Sequence, residues 1–206
     1  MHPLRTALLS LSCLIAVPAI GEDLPSFGDS SSGIVSQREE RELGHAYLSI
    51  IRGQTAQIPD PLLKNYLEDT VYRLAESSQV QDPRFSFILL KSPQLNAFAA
   101  PGGIIGVNGG LFLYAQNEGE FASVLAHELA HLSQRHFARG LEARQQMQIP
   151  MMAAMLGGII AMAAGAGDAG VAAIASSQAA AMQAQQRFSR QNEQEADRIG
   201  MQTLGN

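Results

Sequence analysis

Two histidines and a glutamate near the middle of the chain have the spacing of a metal site. In His127-Glu128-Leu129-Ala130-His131 the histidines are four residues apart. On an α-helix this spacing places the two imidazoles about 40° apart around the axis, so both can reach one ion. Glu128 can then project toward an open coordination position and take a proton from water. The pentapeptide alone is only suggestive, because an amphipathic helix with two surface histidines has the same pattern.

Carboxylates further along the chain can complete this site. Glu193 and Asp197 are also four residues apart and share a helix face, whereas Glu195 lies about 200° around the axis from Glu193. We therefore expect Glu193 to be the third ligand of one zinc ion per chain, with Asp197 holding a ligand histidine by its other ring nitrogen. Glu195 is expected to be solvated or paired with a nearby arginine such as Arg198.

Two further histidines are interpreted as structural. His136 follows His131 by five residues, about 140° further around the same helix if that helix continues, and is expected to point away from the ion. His45 stands alone on a predicted amphipathic helix, where a histidine is more often a packed or exposed residue than a ligand.

Hydrophobic periodicity predicts the elements that must position these residues. Helical spacing over residues 36–51 and again after Pro61 predicts two amphipathic helices. The segment 85–90 is typical of a strand buried on both faces, and 104–107 of a short second strand that follows a proline-glycine turn. Two or three short strands among helices predict an α+β domain that is mainly α, with a small sheet.

The start of the metal-binding helix also has a sequence signal. Asn117 can cap the helix, and Glu120 follows three residues later, which predicts a capping box.

Composition limits the function classes. The chain has 206 residues, enough for one domain, and a formal net charge of −5 from 14 basic and 19 acidic residues. Without a basic stripe, it is a poor candidate for binding nucleic acid. Cys13 is the single cysteine, which excludes an internal disulfide framework and a thiolate metal cage.

The first residues predict export. Residues 1–21 combine Arg5, an apolar run and the small residues Ala19 and Gly21, as a secretory signal peptide does. Residues 22–35 are mostly polar and rich in serine and glycine, and we expect a flexible leader there.

An apolar stretch separates the two halves of the predicted site. Between Arg144 and Arg187 the only formal charge is Asp168, and six of the eight methionines fall there. One interpretation is a pair of transmembrane helices at 149–167 and 169–182. We favour a helical insert at 145–186 that packs over the site or contacts a membrane surface through 149–183, because the second segment is short and much of the apolarity comes from alanine.

Three segments resemble one family of peptidases. They are Asn-Ala-Phe-Ala-Ala-Pro-Gly-Gly at 96–103, Val-Leu-Ala-His-Glu-Leu-Ala-His at 124–131 and Asn-Glu-Gln-Glu-Ala-Asp-Arg-Ile-Gly at 192–200. From about residue 37 onward the chain is similar to the gluzincin metallopeptidases of family M48, which include HtpX and the CAAX prenyl proteases. The resemblance implies a zincin-like metalloprotease fold, built around an active-site helix that carries the two histidines and the glutamate.

The resemblance also implies residue roles. His127, His131 and Glu193 would bind zinc, Glu128 would act as general base and acid, and Asp197 would support a ligand. The strand formed by Ile104, Ile105, Gly106 and Val107 looks like the family's active-site strand, against which an extended substrate lies.

With the export signal, the resemblance points to the periplasmic, BepA-like branch of the family. It implies a zinc endopeptidase that acts on unfolded or misassembled outer-membrane proteins, with the outer-membrane assembly machinery as an expected partner. Relatives in that branch continue well past the second motif, so residues 36–206 are expected to form a metallopeptidase domain that is incomplete at its C-terminal end. The alternatives are a catalytically weak, chaperone-like client-binding module and an integral-membrane protease like HtpX.

Overall fold

The computed structural model describes residues 35–205. The predicted signal peptide, residues 1–21, and the predicted leader up to residue 34 lie outside the described residues. Val35, at the end of that leader, is buried, and its carbonyl oxygen accepts a 2.7 Å hydrogen bond from the guanidinium of Arg135. The chain is therefore anchored to the domain from Val35 onward.

Helices dominate the described part of the chain, and three short strands interrupt them. In chain order the elements are α1 (Gln37–Gln54), α2 (Pro61–Ser77), β1 (Ser86–Leu90), β2 (Ala97–Ala100), β3 (Ile104–Asn108), α3 (Gly109–Tyr114), α4 (Glu118–Ser133), α5 (His136–Ala163) and α6 (Gly167–Gly205). The predicted class, α+β with mainly helices and a small sheet, is confirmed.

The sheet has the order β1-β3-β2 within residues 35–205. β3 is parallel to β1 and antiparallel to β2, with Phe98 opposite Gly106. β2 was missed from the sequence, because its Ala-Phe-Ala-Ala composition carries little β-propensity. Its pairing depends on the turn at Gly102 and Gly103, whose φ angles of 77° and 81° favour glycine.

The main core lies between the sheet, α2 and α4. Leu125 and Leu129 of α4 are fully buried, so the helix that carries the two histidines is held firmly by its apolar face. The buried members of this core are Leu67, Val71, Leu89, Ala97, Ile105, Val107, Leu111, Phe121, Leu125 and Leu129.

The predicted capping box of α4 forms only in part. The Asn117 side chain accepts a hydrogen bond from the Glu120 N–H, as a cap does. The Glu120 carboxylate instead accepts from the N–H of Gln116, one residue before the cap. The helix start is nevertheless well satisfied, since both side chains pair with backbone donors.

α5 and α6 form a long antiparallel hairpin that contains the predicted insert. Gly158 and Gly170 meet where the helices cross, and a Cβ on Gly170 would lie 2.4 Å from the carbonyl oxygen of Gly158. α6 then continues without a break from the hairpin through the Glu193 segment. The outer face of α5 exposes large apolar side chains, namely Ile149, Met152, Leu156, Ile159 and Ile160.

α5 alone among the described helices is long and apolar enough to cross a membrane, judged by length and composition only. Very few residues of its most apolar part are buried within the described structure. Such a helix is weak evidence for a membrane span.

The contact of α1 with the β2–β3 turn gives a stability prediction. A Cβ on Gly44 would lie 2.1 Å from the carbonyl oxygen of Pro101, whereas a Cβ on Gly53 of the same helix meets nothing within 4 Å. We expect Gly44→Ala to lower the free energy of unfolding by about 1–3 kcal/mol through overpacking. The matched control Gly53→Ala should leave it unchanged or raise it by up to about 1 kcal/mol. Urea denaturation of both variants tests this, and equal effects would contradict the packing argument.

Candidate functional site

The site forms where α6 crosses α4. Gly200 makes the close approach possible, because a Cβ there would lie 3.1 Å from the backbone nitrogen of His127. Ala130, Ala196 and Ile199 are buried together at the same crossing. Glu193, two turns before Gly200 on α6, is thereby brought beside the histidines of α4.

Three donor atoms converge at this crossing. The Nε2 atoms of His127 and His131 are 3.1 Å apart, and Oε2 of Glu193 lies 3.3 Å from the first and 3.7 Å from the second. Among the described residues, these three form the group of histidine, cysteine and carboxylate side chains that could share one ion. Two imidazole nitrogens and one carboxylate oxygen are the donors of a catalytic metal site with an open position, so the residues present fit a divalent metal ion.

Asp197 lies beside the first histidine. Its Oδ1 is 2.9 Å from Nδ1 of His127, which therefore carries the hydrogen and leaves Nε2 free to face Glu193. A carboxylate on the outer nitrogen of a ligand histidine orients the ring and raises its basicity.

Glu128 follows His127 on α4 and faces the same cleft. Its Oε2 accepts a 2.8 Å hydrogen bond from the backbone N–H of Ala99 in β2. Burial raises the pKa of Glu128 to about 7, while the charge of His127 and the hydrogen bond from Ala99 act in the opposite direction. The carboxylate is thus held at the wall of a cleft of about 470 Å³, which β2, both histidines and Glu193 also line.

His136 stays outside the group that could share the ion, as predicted, but the continuous helix assumed for it was wrong. α4 ends at Ser133 and α5 begins at His136. Between them Arg135 has φ 50° and ψ 41°, a left-handed conformation that is uncommon outside glycine and asparagine. The break turns His136 back, and its Nδ1 lies 2.9 Å from Nδ1 of His131.

Glu195 pairs with an arginine, as predicted, but it is largely buried and its partner lies on another helix. Its side chain is only 19% exposed and pairs with Arg139 at 2.9 Å and with Nε2 of His136 at 3.2 Å, rather than with Arg198. Both partners belong to α5, and the periodicity of α6 alone could not show which helix packs against that face.

The strand expected to bind substrate is not available for it. Ile104, Ile105, Gly106 and Val107 lie in β3, which pairs with β1 on one side and with β2 on the other. The backbone of this central strand is therefore used within the sheet, and the prediction was wrong. β2 is the edge strand of the described sheet on the side of Glu128, and the Ala99 N–H points toward the cleft.

Comparison with known proteins assigns the family. The model of peptidase family M48 matches residues 61–206, which include His127, Glu128, His131 and Glu193. The chain belongs to peptidase family M48. The zincin-like fold expected from the sequence agrees with this assignment.

Relatives within family M48 match nearly the whole chain. The chain is 36% identical over 204 residues to the beta-barrel assembly-enhancing protease of Escherichia coli strain K12, a match that covers 94% of this chain and 42% of the relative. It is 40% identical over 182 residues to the protein of the same name from Yersinia pestis, covering 88% of this chain and 37% of the relative. The chain thus spans about two fifths of the length of these relatives.

Removal of Glu193 tests the metal site directly. Because two imidazoles are too few for a site with three protein ligands, Glu193→Ala should weaken zinc binding on the order of a hundredfold or more. Competition titration of the purified chain with a zinc chelator measures this. Glu118→Ala, which removes an exposed carboxylate paired with Arg73 at the start of α4, is the control and should bind zinc as the wild type does. Equal affinities for both variants would show that Glu193 is not a ligand.

Proposed function

We propose that this chain carries the catalytic site of a zinc-dependent endopeptidase. The observation that supports this most strongly is the convergence of His127 Nε2, His131 Nε2 and Glu193 Oε2 within 4.8 Å of one another. The carboxylate of Glu128 on the same helix lines the adjoining cleft. Ligands and a base on one side of an open cleft are what metal-assisted hydrolysis of a peptide bond requires.

The residues divide the chemistry among them. His127, His131 and Glu193 would hold zinc, which supplies Lewis acidity to the scissile carbonyl and to the attacking water. Glu128 accepts the proton of that water on a carboxylate oxygen and returns it to the leaving amine nitrogen. Asp197 keeps the Nδ1 hydrogen on His127 and so keeps its Nε2 lone pair directed at the ion.

We propose that β2 aligns the substrate. The N–H of Ala99 points away from β3. Because alternate residues of a strand have the same orientation, the N–H of Ala97, two residues earlier, points to the same side. An extended peptide can pair with this edge as an added strand, which places a peptide bond beside Glu128. Only an unfolded or locally unfolded chain offers such a free segment, so the geometry favours unfolded substrates.

The relatives support the biological setting of this proposal. They are named beta-barrel assembly-enhancing proteases, which favours an enzyme over a client-binding module without activity. We therefore propose unfolded or misassembled outer-membrane proteins as substrates, the outer-membrane assembly machinery as a partner, and the periplasm as the location, reached through the signal-like residues 1–21.

Loss of the base should separate catalysis from metal binding. Glu128→Gln should abolish cleavage of unfolded casein, because the amide cannot accept a proton, while zinc affinity stays within about threefold of wild type. Glu118→Gln, on the same helix but exposed, is the control and should cleave normally. Cleavage that survives Glu128→Gln, or loss of zinc in that variant, would contradict the assigned role.

The hairpin extends the proposal to contact with a membrane surface. The outer face of α5 presents Ile149, Met152, Leu156 and Ile160 to solvent. Arg144 and Arg187 lie where the nearly uncharged stretch begins and ends, one on each arm. An apolar face with arginines at its base end suits the interface of a bilayer that contains anionic lipids.

Vesicle flotation tests that contact. The wild-type chain should float with vesicles of phosphatidylethanolamine and phosphatidylglycerol, whereas Met152→Glu/Ile160→Glu should stay in the soluble fraction because two charges would enter the apolar interface. Leu62→Glu, at an exposed apolar residue of α2 outside the hairpin, is the control and should float as the wild type does. Flotation of the double variant would exclude this face as the contact surface.

A further inference from the structure

We infer that His136, Glu195 and Arg139 position the ligand histidine His131 through a directed chain of hydrogen bonds. The inference rests on the proposed metal site and adds residues to it that hold a ligand without touching the ion. The chain runs from His131 Nδ1 to His136 Nδ1 at 2.9 Å, and from His136 Nε2 to Glu195 Oε2 at 3.2 Å. It ends at Arg139, whose guanidinium donates to Glu195 at 2.9 Å.

The chemistry of the groups allows only one direction for this chain. Nε2 of His131 faces Glu193 and the other ligand, so it must keep its lone pair if it is to bind a metal ion. The hydrogen of the neutral ring then sits on Nδ1 and is donated to Nδ1 of His136. His136 must accept there, so its own hydrogen sits on Nε2 and is donated to Glu195.

The opposite direction would prevent metal binding. If His136 donated to Nδ1 of His131, the hydrogen of a neutral His131 would move to Nε2, the atom needed as ligand. Glu195 is an acceptor only, and its contact with Nε2 of His136 excludes that arrangement for a neutral ring. The carboxylate thus selects the tautomer of His136, and His136 in turn selects the tautomer of His131.

Because these side chains are buried, water cannot easily replace the hydrogen bonds that link His131, His136 and Glu195. The side chain of His136 is 5% exposed and that of Glu195 is 19% exposed, whereas Asp197, which serves the other histidine, is 72% exposed. If the buried acceptor is lost, water therefore reaches Nδ1 of His131 poorly. If His136 only filled space, its two ring nitrogens would not both need hydrogen-bond partners, yet both have one.

The two ligand histidines are supported in different ways. His127 donates a hydrogen bond directly to a carboxylate, that of Asp197 in α6. His131 reaches a carboxylate of the same helix, Glu195, only through the ring of His136 in α5. The site thus couples three helices, and the α4–α5 break at Arg135 is what brings the third one in.

Zinc affinity and tautomer together test the inference. In the 206-residue chain, His136→Ala should raise the zinc dissociation constant by about 10–100-fold, as loss of a partner of a ligand histidine does. His136→Asn should recover most of the affinity, because its Oδ1 can take the place of Nδ1 as acceptor. His45→Ala, which removes an exposed histidine from α1, is the matched control and should be unchanged.

A second readout separates positioning from packing. Long-range proton–nitrogen NMR spectra of the metal-free chain should show the hydrogen of His131 on Nδ1 in the wild type and in His136→Asn, but not in His136→Ala. Glu195→Ala, which leaves His136 in place, should also weaken zinc binding, by about threefold to tenfold. If His136→Ala does not fold, Glu195→Ala and His136→Asn decide by the same two measurements.

The outcomes distinguish the inference from the function on which it rests. If the wild type does not bind zinc, or Glu193→Ala binds it equally well, the proposed metal site itself is wrong. If the wild type binds zinc through Glu193 and His136→Ala binds as tightly as His45→Ala, the positioning role is wrong. It is also wrong if His136→Asn loses as much affinity as His136→Ala, or if Glu195→Ala changes neither affinity nor tautomer.

Discussion

The close crossing of α6 over α4 is the contact on which the rest of the site depends. No side chain at position 200 separates the helices, so the backbone of α6 lies against the backbone of His127. This distance brings a carboxylate of one helix within reach of two imidazoles of another. Ala130 and Ala196 are buried together at the crossing, and their small side chains allow the two helices to lie this close. A larger residue at the crossing would push apart the two helices that carry these side chains.

The sheet contributes the opposite wall of the cleft, and the first helix packs against its other face through Leu48. α1 lies against the Pro101 turn at Gly44, and this turn leads from β2 into β3, which runs back alongside it. Buried Arg135 adds a second link, because it contacts both Glu40 of α1 and the carbonyl of Val35. The helix that precedes the family match therefore shapes the cleft even though it supplies none of the three donor side chains.

Periodicity and short-range spacing were enough to predict most helices, two of the three strands and the pairing of His127 with His131, because these features depend on residues that are close in sequence or share one helix face. The third donor, Glu193, was predicted instead from the need of a metal for another ligand and from the family motif around it. The errors concern relations between elements. The left-handed Arg135 has no local signal, since neither glycine nor asparagine marks the break, and the partners of Glu195 depend on where α5 packs. The edge position of β2 depends on strand order, which the composition of an alanine-rich segment does not encode.

α6 joins the hairpin and the third donor in one uninterrupted helix of 39 residues. Each residue of such a helix turns the chain by about 100°, so inserting or deleting one residue between Gly170 and Glu193 would swing the hairpin by that angle relative to the donors. Length changes that preserve the rotational phase come in steps of about 7 or 11 residues. The hairpin and the donors therefore keep their relative orientation only when the length of α6 between them changes in such steps.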